Sequence, residues 1–319
     1  MKIAAVIPCY KVRARIGGVL SAIGPEVTSI YVVDDGCPER TGDHVEATNQ
    51  DPRVKVVRCA ENLGVGGAVK AGYRVALSGG ADIVVKLDGD GQMDPALVPA
   101  LVRAIAEGRA DYVKGNRFFD LAHLASMPRL RLFGNAALSL VNKAASGYWD
   151  VMDPTNGFTA IHARVLALLP LEKVADDYFF ESDMLFRLGT LRAVVLDMPM
   201  AARYAGEPSS LNIGRVALRF PGRYLARFFK RIFYGYFLRD FNAGTVQLVL
   251  AALLGAGGTA FGLRHWSLSV STGIPATSGT VMLAALPILL GGHLLISAIN
   301  FDIANVPRRP VHPLMGPGA

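Results

Sequence analysis

Between positions 244 and 300 the chain has one formally charged side chain, Arg264, whereas the residues before it are rich in Asp, Glu, Lys and Arg. A stretch that presents almost no charge on any face has few folded solutions. Residues 244–263 are twenty uncharged, mostly apolar positions, about 30 Å long as a helix, and residues 279–299 form a second run of similar length. Gly255, Gly257, Gly258, Pro287 and His293 interrupt both runs. Small residues are common where membrane helices touch, and Pro is tolerated there. The expected arrangement is a two-helix transmembrane hairpin with a loop at 264–278, rather than two buried helices of a soluble core.

That loop has one cation, while residues 215–239 have seven, and Arg308 and Arg309 follow the second run. By the positive-inside rule, both the preceding region and the C-terminus are expected in the cytoplasm. The net charge of +7 then points to an anionic membrane surface and not to nucleic acid. Residues 1–6 have no charged leader followed by a long apolar core, so no signal peptide is expected. Cys9, Cys37 and Cys59 lack metal-ligand spacing and are expected to be reduced.

The first ninety residues alternate strand and helix signals. Strands are expected at 2–7, 29–33, 53–57 and 83–87, with helical stretches at 16–23, 41–48 and 66–77 between them. This βαβ series predicts a mostly parallel sheet. The strand at 83–87 runs directly into Asp88-Gly89-Asp90-Gly91-Gln92-Met93-Asp94-Pro95. Open α/β sheets bind ligands at that lip. Asp88, Asp90 and Gln92 alternate with glycines and offer three hard oxygen donors around one point, a set suited to Mg²⁺ or Mn²⁺ holding a diphosphate. An ordinary Asp-Gly turn has the same letters. An EF-hand loop does not fit, because its twelfth position, counted from Asp88, is Pro99.

Asp34 and Asp35 close the second strand and are placed to reach a nucleotide base or ribose. The segment 62–72 has a dinucleotide-site appearance, but Val69 stands where G-x-G-x-x-G needs its last glycine, and no P-loop is present. It reads either as a tightly packed helix start or as a phosphate or sugar contact through Asn62, Gly66, Gly67 and Lys70. Arg117 follows a short strand, a helix at 128–145 has Arg129 and Arg131 near its start, and Asp153 opens a turn before another strand. Glu181 lies on a helix whose acids are expected to face the cleft. Arg215, Arg219, Arg223, Arg227 and Arg231 recur at steps of four among aromatic residues, and 213–239 contains no acid to pair with them. An interfacial amphipathic stretch is expected, broken into two helices at Pro221.

Taken together, these segments resemble the family 2 glycosyltransferases that load a sugar onto a polyprenyl phosphate, such as bacterial undecaprenyl-phosphate glucosyltransferases and dolichyl-phosphate mannose synthases. The matching segments run in family order: Ile7-Pro8-Cys9-Tyr10, Val33-Asp34-Asp35-Gly36, 62–72, 88–95, Gly115-Asn116-Arg117-Phe118, 153–158 and Arg203-Tyr204-Ala205-Gly206-Glu207. The resemblance implies a GT-A fold over 1–211, interfacial helices over 212–242, the hairpin over 243–301 and a cytoplasmic tail over 302–319, in a bacterial inner membrane. It implies that Asp88, Asp90 and Gln92 hold the metal, that Pro8, Tyr10 and Asp35 line the nucleoside site, and that Arg117, Arg131 and Arg203 grip phosphates. The chain departs from the pattern at Lys11 and Val12, where the family continues Asn-Glu, and at Ser209-Ser210-Leu211, where it often has Ser-Lys-Leu.

The activity so implied is transfer of a sugar from a nucleotide-sugar, UDP-glucose or a related UDP-sugar, to undecaprenyl phosphate for cell-envelope glycan modification, by inverting single displacement. Asp153 is the candidate orienting acid or, alternatively, the cap of the turn at Pro154. Rival readings are transfer to a lipid hydroxyl or polysaccharide, a catalytically inactive nucleotide-sugar-binding membrane module, and a transport protein. Self-association into a homo-oligomer is expected through the glycine-rich helix faces.

Overall fold

The computed structural model describes residues 1–119, 129–201 and 213–316, with backbone alone at 129–131 and 213–218. Among these, β-branched and apolar runs supply seven strands: β1 (Ile3–Cys9), β2 (Ser29–Asp34), β3 (Val54–Arg58), β4 (Ile83–Lys86), β5 (Tyr112–Asn116), β6 (Thr159–His162) and β7 (Val195–Pro199). They form one sheet in the order β3-β2-β1-β4-β6-β5-β7. Neighbours are parallel except that β6 runs antiparallel to both β4 and β5. The expected mostly parallel α/β sheet is therefore what forms. Because β6 is reversed, the segment leading into it shares an edge with the segments leaving β1, β2, β4 and β5.

Helices α1 (Arg13–Ala22), α2 (Thr41–Thr48), α3 (Val65–Ser78), α4 (Val98–Ala106), α5 (Arg129–Ser146), α6 (Ala163–Leu168) and α7 (Phe180–Leu191) alternate with the strands. Ile3, Ala5 and Ile7 of β1 and Ile83, Val85 and Leu87 at β4 pack with Ile16 and Leu20 of α1 and Val98, Leu101 and Ile105 of α4. Burying such side chains contributes roughly 1.5–3 kcal/mol each before chain entropy is subtracted. On the other face, a side chain at Gly72 of α3 would collide with Val6 and Val33, so glycine there sets how closely helix and sheet approach.

Helix α8 (Ile213–Ile232) is continuous through Pro221, contrary to the expected break. A proline removes one hydrogen bond and crowds one carbonyl, which need not end a helix that packing holds on either side. Phe220 and Tyr224, one turn apart, pack edge-on against Phe179 at ring-centroid separations of 5.1 and 4.9 Å, and Tyr224 Oη lies 2.7 Å from Ser182 Oγ. The arginine ladder also differs from expectation. Arg223 donates to Asp177 at 2.7 Å, Arg227 to Asp183 at 2.6 Å and Arg231 to Asp302 at 2.7 Å, so distant segments supply the acids that α8 lacks. Arg219 is exposed, as are Leu225, Phe229 and Phe233. The side chain of Arg215 lies outside the described residues.

The chain divides into two compact units, Met1–Phe228 with Pro307–Ala319, and Phe229–Val306. These limits differ from the boundaries that the resemblance implied, because the start of α8 and the tail both belong to the first unit. The second unit contains a π-helical turn (Phe233–Leu238), α9 (Ala243–Thr272) and α10 (Ser278–Ala304), the last two long and apolar enough to cross a membrane. Asn242 and Thr245 form a capping box at the start of α9, and Gly273, in the left-handed region at φ 67°, ends it. The connecting loop is shorter than expected because α9 passes through Arg264 and His265 to Thr272. Gly258 packs against the Ala284 carbonyl, and Gly291 against Gly255 and the Ala251 carbonyl. These glycine faces, expected to serve self-association, join α9 to α10 within one chain.

After the hairpin the tail returns to the first unit. Buried Asp111, just before β5, accepts from the backbone N–H groups of Val194, Val311 and His312 at 2.8–2.9 Å, and its Oδ1 lies 2.8 Å from His312 Nδ1. The His312 ring stacks on His162 at 4.1 Å, and Arg164 donates to the Met315 carbonyl.

Candidate active site

The lip formed by the ends of β1, β2, β4 and β5 and the start of β6 collects most of the residues singled out above. Asp88 and Asp90 leave β4 there. One oxygen of Asp88 is 3.1 Å from Lys86 Nζ, and Asp90 Oδ1 accepts from the Gln92 N–H at 3.0 Å. Burial, followed by the charge of Asp88, raises the Asp90 pKa above the ordinary carboxylate range. Two hard carboxylates whose charges oppose one another are a donor set that a divalent cation relieves. Among the described residues no cluster of three His, Cys, Asp or Glu could hold a metal unaided. A cation here therefore needs phosphate or water oxygens to complete its shell, as Mg²⁺ and Mn²⁺ accept. Gln92 contributes its backbone to the turn.

Lys86 is the residue that sequence reasoning missed, although a lysine inside Ile83-Val84-Val85-Lys86-Leu87 is a signal in itself. A buried ammonium must find partners. Its Nζ is also 3.0 Å from Glu181 Oε1, so Glu181 faces Lys86 instead of open cleft. Burial disfavours the charge on Lys86, yet Asp88 and Glu181 outweigh burial and raise its pKa. In the ladder, Lys86 and Lys114 both pair with Thr159, which sets two buried lysines in one row under the lip. Lys114 Nζ donates to the backbone carbonyls of Asp153 and Asn156, fixing the loop before β6, and burial lowers its pKa.

That loop presents Asp153 to Arg117. Asp153 is fully buried, and Arg117 reaches it through Nε at 2.7 Å, Nη2 at 2.9 Å and its own backbone N–H at 3.1 Å. Burial alone would raise the Asp153 pKa, but the Arg117 guanidinium holds it below the ordinary range. The carboxylate orients Arg117, and the turn at Pro154 is closed instead by the Asn156 N–H on the Asp153 carbonyl. Gly157 ties this loop to the carboxylate motif: a Cβ there would meet Lys86 Nζ and lie 3.0 Å from Asp88 Oδ2. Asp197 on β7 accepts from Asn116 Nδ2 at 3.1 Å and Met152 N at 2.8 Å, and burial pushes its pKa up to about 6.

Other expected contacts are taken up by the fold. Asp34 accepts from the Cys37 and Gly42 amides, and Asp35 from those of Leu63 and Gly64. Burial, opposed by those two amides, raises the Asp35 pKa. Asn62 Oδ1 caps the Gly64 N–H. The Gly66 and Gly67 amides donate to the Asp176 carbonyl, and Lys70 Nζ binds the Val174 carbonyl and the Asp176 carboxylate. The glycine-rich segment is thus the packed helix start of its two readings. Pro8, next to last in β1, is half-buried, and Tyr10 is exposed with the Lys11 ammonium 5.4 Å over its ring. Arg131 is described by its backbone alone, and Arg203 lies outside the described residues.

Residues 4–169 match the model of glycosyl transferase family 2. The chain is a family 2 glycosyltransferase. This glycosyltransferase is 31% identical over 206 residues to the undecaprenyl-phosphate mannosyltransferase of Micrococcus luteus, covering 63% of this chain and 83% of that protein. It is 25% identical over 294 residues to the dolichol-phosphate mannosyltransferase of Pyrococcus furiosus, covering 91% and 78%. By these relatives it is of the polyprenyl-phosphate type. Its fold is similar to that of glucosyl-3-phosphoglycerate synthase from Mycobacterium tuberculosis, solved with Mn²⁺, UDP-glucose and phosphoglyceric acid, at a TM-score of 0.54 and 21% identity over 75% of this chain and 81% of that one. The likeness establishes the GT-A-like sheet.

Proposed function

We propose that this glycosyltransferase transfers a hexose from a nucleotide-sugar to polyprenyl phosphate at a membrane surface, with inversion in a single displacement. The observation that supports it most is the state of Asp153. A sugar or lipid hydroxyl needs a base near neutral pH to accept its proton. Asp153 is bound through both oxygens by Arg117 and has a lowered pKa, which makes it a poor base and a good orienting group. A phosphate acceptor, with a second pKa near 6, arrives already ionised and asks only for alignment and charge stabilisation.

In this reading, Asp88 and Asp90 would hold Mg²⁺ or Mn²⁺, which supplies Lewis-acid neutralisation of the departing nucleoside diphosphate. Arg117, fixed in one orientation by Asp153, is proposed as a phosphate contact. Arg131 and Arg203 are proposed as further phosphate contacts, and Pro8 and Tyr10 as the wall of the nucleoside site. The loop held by Lys114 keeps Asp153 and Gly157 in register with the carboxylate motif. Helices α9 and α10 are proposed to span a bacterial inner membrane, with the first unit and its docked tail on the cytoplasmic side, where positively charged residues accumulate.

UDP-glucose or a related UDP-sugar is the proposed donor, and a relative that uses UDP-N-acetylglucosamine with dolichyl phosphate in Methanococcus voltae supports a UDP-sugar. Mannose is the second reading, because the relatives from Micrococcus luteus and Pyrococcus furiosus are both mannosyltransferases. Incubating purified enzyme and Mn²⁺ with undecaprenyl phosphate and a panel of nucleotide-sugars decides between them. Glycolipid formed from one UDP-sugar supports the proposal, glycolipid from the mannose donor alone selects the second reading, and no glycolipid from any donor overturns both.

A further inference from the structure

Lys86 is 1% exposed and sits between two carboxylates that belong to different parts of the molecule, Glu181 on α7 and Asp88 at the mouth of the site. A lysine–glutamate pair would by itself satisfy a buried ammonium and tie α7 to β4. The contact at 3.1 Å to Asp88 adds something that this pair does not require, a cation on a partly exposed carboxylate at the lip. Gly157 leaves room for this contact, since any Cβ there would strike the Lys86 ammonium.

We propose that Lys86 is a positioning residue that competes with the divalent cation for the charge of Asp88, and that Glu181 sets how strongly it competes. The proposal deepens the metal reading of Asp88 and Asp90 and rests on it. The ammonium shares its charge between two acids. What Glu181 takes from it, Asp88 retains for the metal. Removing the ammonium leaves Asp88, Asp90 and Glu181 uncompensated, which strengthens attraction for a divalent ion. Neutralising Glu181 concentrates the ammonium on Asp88, which weakens it. In the native balance the metal alone is held loosely, and the oxygens of the donor diphosphate are needed to bind it tightly. The site therefore loads metal and nucleotide together.

Removing either charge beside Asp88 shifts divalent affinity by itself, in opposite directions, so competition through Lys86 is marked by the double variant: Glu181→Gln weakens binding less in the Lys86→Met background than in wild type, and equal weakening in both backgrounds overturns the proposal. The test is a titration of Mn²⁺ alone, followed by electron paramagnetic resonance, on the detergent-solubilised full chain. Asp90→Asn identifies the site. Lys86→Met is expected to bind Mn²⁺ about tenfold more tightly than wild type, and Glu181→Gln several-fold more weakly. Shifts in the same direction, or no shift in either variant, overturn the proposal. If Lys86→Met does not fold, Lys86→Gln replaces it in both arms, and unchanged or tighter binding in Glu181→Gln overturns the proposal by itself. Wild-type binding that Asp90→Asn leaves intact would instead overturn the metal reading itself, and this proposal with it.

Discussion

The two edges of the sheet use aspartates in opposite ways. At the edge away from the site, Asp111 accepts three backbone N–H groups and faces the His312 ring, so its charge is dispersed over chain segments that it holds together. At the lip, Asp88 and Asp153 face the side-chain cations Lys86 and Arg117. A backbone amide is a dipole that serves its one partner, whereas a guanidinium or an ammonium is a full cation whose charge acts on any anion nearby. Asp34 and Asp35 show that location alone does not decide the matter: they stand at the lip yet take backbone amides, as Asp111 does. Among the acids at strand ends, donor type, more than place, separates those proposed for the chemistry from those that hold the chain together.

The largest expected effect comes from the lip. Asp90→Asn should reduce turnover by about 10³-fold, and chelation of divalent ions should do the same to wild type until Mn²⁺ or Mg²⁺ is restored. Initial rates of glycolipid formation check both. Next, Asp153→Asn should lower kcat by about 10²-fold by loosening Arg117, while leaving the shape of the pH–rate profile unchanged. Loss of an acid-side limb from that profile would make Asp153 a base and weaken the contrast between the edges. Gly157→Ala should lower turnover by roughly tenfold, because the added methyl crowds Asp88 Oδ2 as well as Lys86 Nζ and moves the carboxylate out of line.

The opposite edge should respond in stability. Asp111→Ala leaves three amides and a histidine ring without their acceptor and should cost about 3 kcal/mol or more, with kcat/KM nearly unchanged in the folded fraction. Thermal unfolding and proteolysis of the tail measure it. The smallest effect is a pH dependence. Burial first, then the neighbouring His312 and Arg164, lowers the His162 pKa from 6.5 to about 4, against the opposing charges of Asp111 and Asp82. The unfolded chain therefore takes up this proton first, and the stability from neutral His162 is present above pH 6.5 and is lost as pH falls toward 4. His162→Phe should flatten apparent Tm over that window.

Much of this was legible from residue order. The strand–turn pattern at 83–95 announced the lip, the alternation of periods announced the parallel sheet, and the missing charge after position 243 announced the two long helices. What was hidden depends on segments far apart in sequence. The acids paired with Arg223 and Arg227 lie on or just before α7, 46 and 44 residues away, so a ladder without local partners read as wholly interfacial. The amides around Asp35 arrive from residues 63 and 64, and the carbonyl that takes up the Gly66 and Gly67 amides arrives from residue 176. The return of the tail to Asp111 spans about two hundred residues and has no local signal. Lys86, by contrast, was readable, because a charge inside a β-branched run must be compensated by something the rest of the fold provides.

The central claim is that the acceptor brings its own negative charge to a site where Asp153 orients Arg117 and does not act as a base. Its most direct measurement compares undecaprenyl phosphate with undecaprenol as acceptor for the purified enzyme, with the productive donor and Mn²⁺, over pH 5 to 9. The expected result is product from the phosphate alone, at a rate that rises as its second proton is lost near pH 6 and then stays level. Product from the alcohol at a comparable rate would contradict the account.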